Sequence, residues 1–191
     1  LLTAFKMFAV NGYDGVSLNN IIKETGLTKG GVYYHFNSKD ELFQVVVEEF
    51  VINYYTQKAK EIMTNSKQSV KKRLSEFYIL PALLLKETEG LFPADSNGFA
   101  FYFMFDGIRK FQSIKESLLQ CYLDITEMIT SLLHEGIEKN EIDQNIEVNS
   151  LAVEMLSLLD GIQIYTAIVK NEDIEKLLTG VMSTANDDGD I

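Results

Sequence analysis

The chain has 191 residues, 46% of them hydrophobic, a formal charge of −11 and a single cysteine. That is enough apolar content for one large or two small domains. It excludes a disulfide scaffold, because one cysteine cannot close an internal bridge, and a membrane-spanning chain, because no apolar run approaches the roughly 20 residues a span requires.

No basic start followed by an apolar stretch and a small-residue cleavage site is present, so a cytoplasmic protein is expected. Cys121, beside Leu118, Leu119 and Tyr122, reads as a small core residue. Two prolines and little strand-like alternation predict an all-α protein. The charge is unevenly spread. Residues 1–45 hold four lysines (Lys6, Lys23, Lys29, Lys39) and four acids, and the remainder holds 13 basic and 24 acidic residues. A neutral amino-terminal module on an acidic body can still place lysines against phosphates, which require local rather than net positive charge.

In chain order, Leu1, Phe5, Phe8 and Ala9 have helical spacing, and Gly12 is placed to end the helix. Ser17 precedes a second short helix with Leu18, Ile21 and Ile22 on one face, closed by Gly26. Thr28 can cap a third helix by accepting from Gly31 N–H, with Val32 and Phe36 facing the core. Ser38-Lys39-Asp40-Glu41 has the spacing of a capping box and opens a fourth helix carrying Leu42, Phe43, Val46 and Phe50. A fifth helix is expected from near Ser69 to Glu87, kinked at Pro81, followed by a loop over "EGLFPADSNG". Further helices are expected over about 99–107, 113–139, 148–170 and 173–183, with a frayed acidic tail.

The stretch "GLTKGGVYYHFNSKDEL" places two adjacent glycines in a short helix, each costing about 1 kcal/mol relative to alanine. A short helix, a glycine-containing turn and a second short helix form a helix-turn-helix, whose second helix enters the DNA major groove. Gly30 and Gly31 then let the backbone approach base edges or phosphates. Tyr33, Tyr34 and His35 supply hydroxyl and imidazole groups one turn later, and one of the tyrosines is expected to be partly buried. Lys29 supplies charge, and Lys39 joins a cation to the positive end of the fourth helix.

Residues 1–47, above all "GYDGVSLNNIIKETGLTKGGVYYHFNSKDELF", resemble the DNA-binding domain of the tetracycline-repressor (TetR) family of transcriptional regulators. The resemblance implies DNA contacts by Lys29, Gly30, Tyr33, Tyr34, His35 and Lys39, with Gly31 alongside and with Ser17 and Thr28 as capping or phosphate-binding hydroxyls. It also implies nine or ten helices, a homodimer, and a ligand-binding and dimerisation domain over 48–185. A dimeric, ligand-responsive regulator, acting as a repressor at a palindromic operator, is the expectation. A non-catalytic interaction module keeping a helix-turn-helix scaffold is the alternative. No catalytic triad, P-loop, paired carboxylates or metal-ligand spacing is found, so no enzyme, cofactor or metal site is expected.

Around Phe99–Phe111 the aromatic residues exceed the needs of one amphipathic stripe, and both a packed core and the lining of an apolar cavity account for them. For the cavity the candidate ligand contacts are Phe77, Tyr78, Phe99, Tyr102, Phe103, Asp106, Tyr122 and Tyr165; Glu87, Glu89 and Arg109 are further groups that could orient a ligand. The helix after Val148 is apolar nearly all round. Leu151, Met155, Leu158, Ile162 and Tyr165, with Leu177, Leu178 and Val181 of the last helix, are expected to form a dimer interface, against ordinary burial in a monomer. Lys71-Lys72-Arg73 is read as a solvated helix face, and His134 and Glu135 as structural and solvated respectively.

Overall fold

A computed structural model describes residues 1–81, 84 and 99–168, and among these all regular structure is helical. The elements are α1 (Leu2–Asn11), α2 (Leu18–Thr25), α3 (Lys29–His35), α4 (Lys39–Val47), a π segment (Glu48–Asn53), α5 (Tyr54–Met63), α6 (Val70–Tyr78), α7 (Phe99–Lys110), α8 (Gln112–Glu138) and α9 (Val148–Ile168). Among the described residues no helix is long and apolar enough to cross a membrane. The expected loop over 89–98 and the last helix over 173–183 lie outside the described residues.

The predicted caps form. Ser17 Oγ accepts from Asn20 N at 3.1 Å, Thr28 Oγ1 from Gly31 N at 3.1 Å, and Ser38 Oγ from Glu41 N at 3.1 Å. Glu41 differs in one detail from a standard capping box, because its carboxylate accepts from Asn37 N (2.8 Å), one residue before the cap. Gly26 ends α2 at φ 67°, ψ 8°, a left-handed conformation that a β-carbon disfavours.

Two compact units divide the chain: Leu1–Tyr55 with Gly90–Cys121, and Thr56–Glu89 with Tyr122–Ile191. In the first unit α1 packs on α2, α4 and α7, α4 also packs on α7, and α2 packs on α3. The core is aromatic: Phe8 meets Phe43 edge-on at 5.0 Å, Phe103 lies 4.8 Å from Phe43, and Phe5 stacks on Phe50 at 4.7 Å. Cys121 is buried in this unit, as expected.

In the second unit α6 starts at Val70, capped by Ser69 Oγ, with Glu141 accepting from Val70 N at 2.7 Å. It stops earlier than expected, at Tyr78. Ile79 breaks the helix at φ −90°, ψ 0°, and Leu80 and Pro81 resume helical backbone, consistent with the donor that Pro81 lacks.

The reading of Lys71-Lys72-Arg73 as a wholly solvated face is corrected. Lys71 and Lys72 are exposed, but Arg73 is only 2% exposed, donates to Met63 O at 2.9 Å and pairs with Glu135. Glu135, expected on a solvated face, also accepts from Lys139 Nζ at 2.7 Å. Arg73 can be buried because Glu135 offers it a charge partner 62 positions away, a separation that no local pattern reveals. Hydrogen bonds from Arg73 and then Lys139 hold the Glu135 carboxyl down at about 2 against its ordinary 4.5.

Replacing Glu135 by Gln leaves a buried guanidinium without its counter-charge and should cost about 3 kcal/mol, or roughly 6–12 °C in melting temperature for a chain of this size. Because the folded pKa is depressed, this stabilisation is complete above pH 4.5 and is lost as pH falls through about 2. Thermal melts of both proteins between neutral pH and pH 2 should therefore converge in acid; a constant gap across that range would contradict the pairing.

Candidate nucleic-acid interface

A seven-residue helix cannot be stable alone, so α3 must be held by its flanks. It is fixed by the Thr28 cap, by Phe36 N donating to Val32 O at 3.0 Å, by packing on α2, and by Val32, which is its one fully buried side chain. Lys29, Gly30, Gly31, Tyr33, Tyr34 and His35 are all exposed, Tyr34 at 85%. Neither tyrosine is fully buried, and Phe36, expected in the core, is half-buried at the helix end. Lys29 Nζ lies 5.7 Å from the Tyr33 ring, and the Tyr34 and His35 rings meet edge-on at 5.0 Å. The result is a helix face of one ammonium, two phenols and an imidazole, beginning at a turn without side chains.

Gly30 is informative because nothing among the described residues requires it. A β-carbon there meets no atom within 4 Å and the backbone is ordinary helix, whereas one at Gly31 would sit 3.1 Å from Thr28 Oγ1. The Ser17 and Thr28 oxygens accept backbone N–H groups and keep their own hydroxyl hydrogens available for donation.

Lys39 is more engaged than the spacing suggested. Its Nζ donates to Tyr13 O at 3.1 Å and lies 3.9 Å from the centre of the Tyr13 ring. Tyr13 also donates its hydroxyl to Asp40, and its N–H meets Asp106 Oδ2 at 3.3 Å. Burial, then the hydrogen bond and charge of Asp40, push the Tyr13 phenol up to about 12. Lys110 pairs with Asp14 at 2.9 Å and holds that carboxyl below its usual value. Sequence reasoning missed Tyr13, Asp14, Asp40 and Lys110 as a group, since the α7 partners stand more than ninety positions from the turn they touch.

The candidate ligand residues are divided between the units. Phe103 is buried in the first unit against Phe5, Phe8 and Phe43, and Asp106 is occupied by Tyr13 and Arg109. Phe77, Tyr78 and Tyr122 belong to the second unit. There Phe77 is fully buried, burial raises the Tyr78 phenol, and Tyr122 donates to Asp160 at 3.0 Å. The side chains of Phe99, Tyr102 and Tyr165, and Glu87 and Glu89 altogether, lie outside the described residues.

On α9, Ala152, Met155, Leu156 and Leu159 are buried, Leu151 and Ile162 are half-buried, and Leu158 is 61% exposed, with Val153 and Ile164 also exposed. Leu177, Leu178 and Val181 lie outside the described residues.

Comparison with known proteins bears on the same residues. Residues 1–46 match the family of bacterial regulatory proteins described as the tetR family. The HTH-type transcriptional regulator LmrA of Bacillus subtilis is 38% identical over 63 residues, which cover 33% of this chain and 34% of that protein, so the chain spans about a third of this relative. The HTH-type transcriptional regulator QacR of Staphylococcus aureus is 26% identical over 163 residues, covering 85% of this chain and 81% of that one. A TetR transcription regulator from Haloarcula marismortui shares the fold with a TM-score of 0.74 at 16% identity, over 96% of this chain and 93% of that one.

Gly30→Ala should raise the stability of the protein by about 0.5–1 kcal/mol, since the methyl group is sterically free and alanine favours the helix. Urea unfolding measures this, and a destabilised variant would show that the space at Gly30 is already used inside the chain.

Proposed function

We propose that this chain, whose amino-terminal module belongs to the tetR family of bacterial regulatory proteins, is a homodimeric transcriptional repressor that reads duplex DNA with α3 and is released by a small-molecule effector. The observation that carries this reading is the face of α3: a glycine that nothing among the described residues needs, followed by solvent-exposed tyrosines and histidine. A groove-inserted helix uses such a bare first turn for close approach, phenols for phosphates or thymine methyl groups, and lysine for phosphate or guanine. The names of the relatives support regulation, and those of IcaR in Staphylococcus, termed negative transcriptional regulators, support repression. Regulation, and not catalysis, is therefore the activity assigned.

The net charge of −11 makes the few cations near α3 decisive. With Lys29 and Lys39 contributing in each of two subunits, log affinity should fall against log salt with a slope of about −3 to −4. Lys39→Ala should flatten that slope by roughly 2 per dimer. Tyr34→Ala should weaken binding about tenfold with little change of slope, as loss of an uncharged contact does. Gel-shift titrations on a duplex enriched from a random pool decide this, and Gly30→Ala, more stable but weaker in binding, is the internal control. Affinity untouched by both alanine variants at α3 and α4 would favour an interaction module.

The dimer is assigned to the side of α9 that carries exposed Leu158 with half-buried Leu151 and Ile162; Met155 then supports the helix from beneath. Paired helices of two copies would cover this side and set two α3 helices about 34–36 Å apart, one turn of DNA. The effector is assigned to the second unit, where Tyr78, Tyr122 and Asp160 combine partial burial with polar groups. Sedimentation of the wild type should give a dimer, and Leu158→Glu should shift it to monomer while preserving helicity. A wild-type monomer at micromolar concentration would remove this part of the assignment.

A further inference from the structure

We propose that Asp106 and Lys110, on α7 and outside the helix-turn-helix, are positioning residues for the DNA-contacting Lys39, acting through Tyr13. This rests on the DNA-binding reading above. Tyr13 lies in the turn between α1 and α2 and is held from both sides of the sequence. From α7, Asp106 Oδ2 accepts its backbone N–H at 3.3 Å, and Lys110 Nζ lies 4.8 Å from its ring while donating to both oxygens of Asp14, at 3.0 and 2.9 Å. Toward α4, its carbonyl accepts from Lys39 Nζ at 3.1 Å, its ring lies under that ammonium at 3.9 Å, and its hydroxyl donates to Asp40. Phe8, Phe43 and Phe111 enclose the ring, with centroids 6.3, 5.0 and 5.5 Å away.

A free lysine side chain samples many rotamers and must surrender them to grip a phosphate. Here one carbonyl and one ring fix the ammonium while its remaining N–H donors stay available. Where that carbonyl points depends on the turn, and the turn is fixed by α7. Asp14 is 72% exposed, so its ion pair adds little to the stability of the fold. What the pair supplies is direction. The arrangement also explains why a chain with so few amino-terminal cations commits Lys39 to an internal contact, since the contact aims the lysine without neutralising it.

The full-length protein and a duplex enriched from a random pool by the wild type provide the test. Lys110→Met and Asp106→Ala should each lower affinity about tenfold, the scale of one charge-assisted contact, and flatten the salt slope as Lys39→Ala does, with melting temperatures close to wild type. The double variant Lys39→Ala/Lys110→Met should bind no worse than Lys39→Ala alone, and Lys110→Arg should restore binding. Additive losses in the double variant, or unaltered affinity in both single α7 variants, overturn the proposal. A wild type that enriches no duplex sinks the DNA-binding reading itself, whereas a binding wild type with indifferent α7 variants sinks this inference alone.

Discussion

The contact among Phe8, Phe43 and Phe103 is the constraint on which the amino-terminal unit depends. It brings one ring each from α1, α4 and α7 within 6.4 Å of one another. Aromatic groups of this size bury a large apolar area and favour edge-on or tilted geometry, so the cluster fixes angles as well as distances. The short helix α3 shares almost none of this burial, because Val32 is its one buried side chain. Its position is therefore borrowed: α2 holds it, α1 holds α2, and the phenylalanines hold α1. A helix that gives nearly its whole surface to solvent can exist only where others supply the core.

The polar interactions form a second layer with a different purpose. Around Tyr13 three carboxylates (Asp14, Asp40, Asp106) meet Lys39 and Lys110, and most of these groups keep contact with water. Exposed pairs of this kind add little to folding free energy. Their effect lies in choosing among arrangements that the apolar core tolerates equally. Arg73 with Glu135 is the opposite case, since burial of the guanidinium makes the partner a condition of folding in the second unit.

Local signals in the sequence reached most of the first unit. Ser17, Thr28 and Ser38 act within three residues of themselves, and Gly26 acts on its own backbone, so spacing alone located these helix ends. The burial of Val32 was legible for the same reason, whereas which tyrosine would face solvent was not: Tyr33 and Tyr34 are both exposed. What stayed hidden were partners brought together by the fold, such as Asp106 with Tyr13 or Glu135 with Arg73. Phe103 and Asp106 were ambiguous because an aromatic run looks alike whether it closes a core or lines a cavity. Phe103 resolved toward the core of the first unit. Composition marks how much apolar surface must be covered, and says nothing of what covers it.

The π segment shows how a continuous pattern can conceal a change of geometry. Val47 and Ile52 are both buried, yet five residues along a regular α-helix turn through about 500°, leaving the two about 140° apart. A wide turn with i→i+5 bonding returns the chain toward the same side one residue later. The segment Glu48–Asn53 does this, and Phe50 within it stacks on Phe5 with the rings 6° from parallel. Apolar residues at 46, 47, 50, 51 and 52 satisfy a helical stripe and an apolar run equally well, so periodicity reads straight through the irregularity. The widened turn follows from the need to keep Val47, Phe50 and Ile52 against the amino-terminal core.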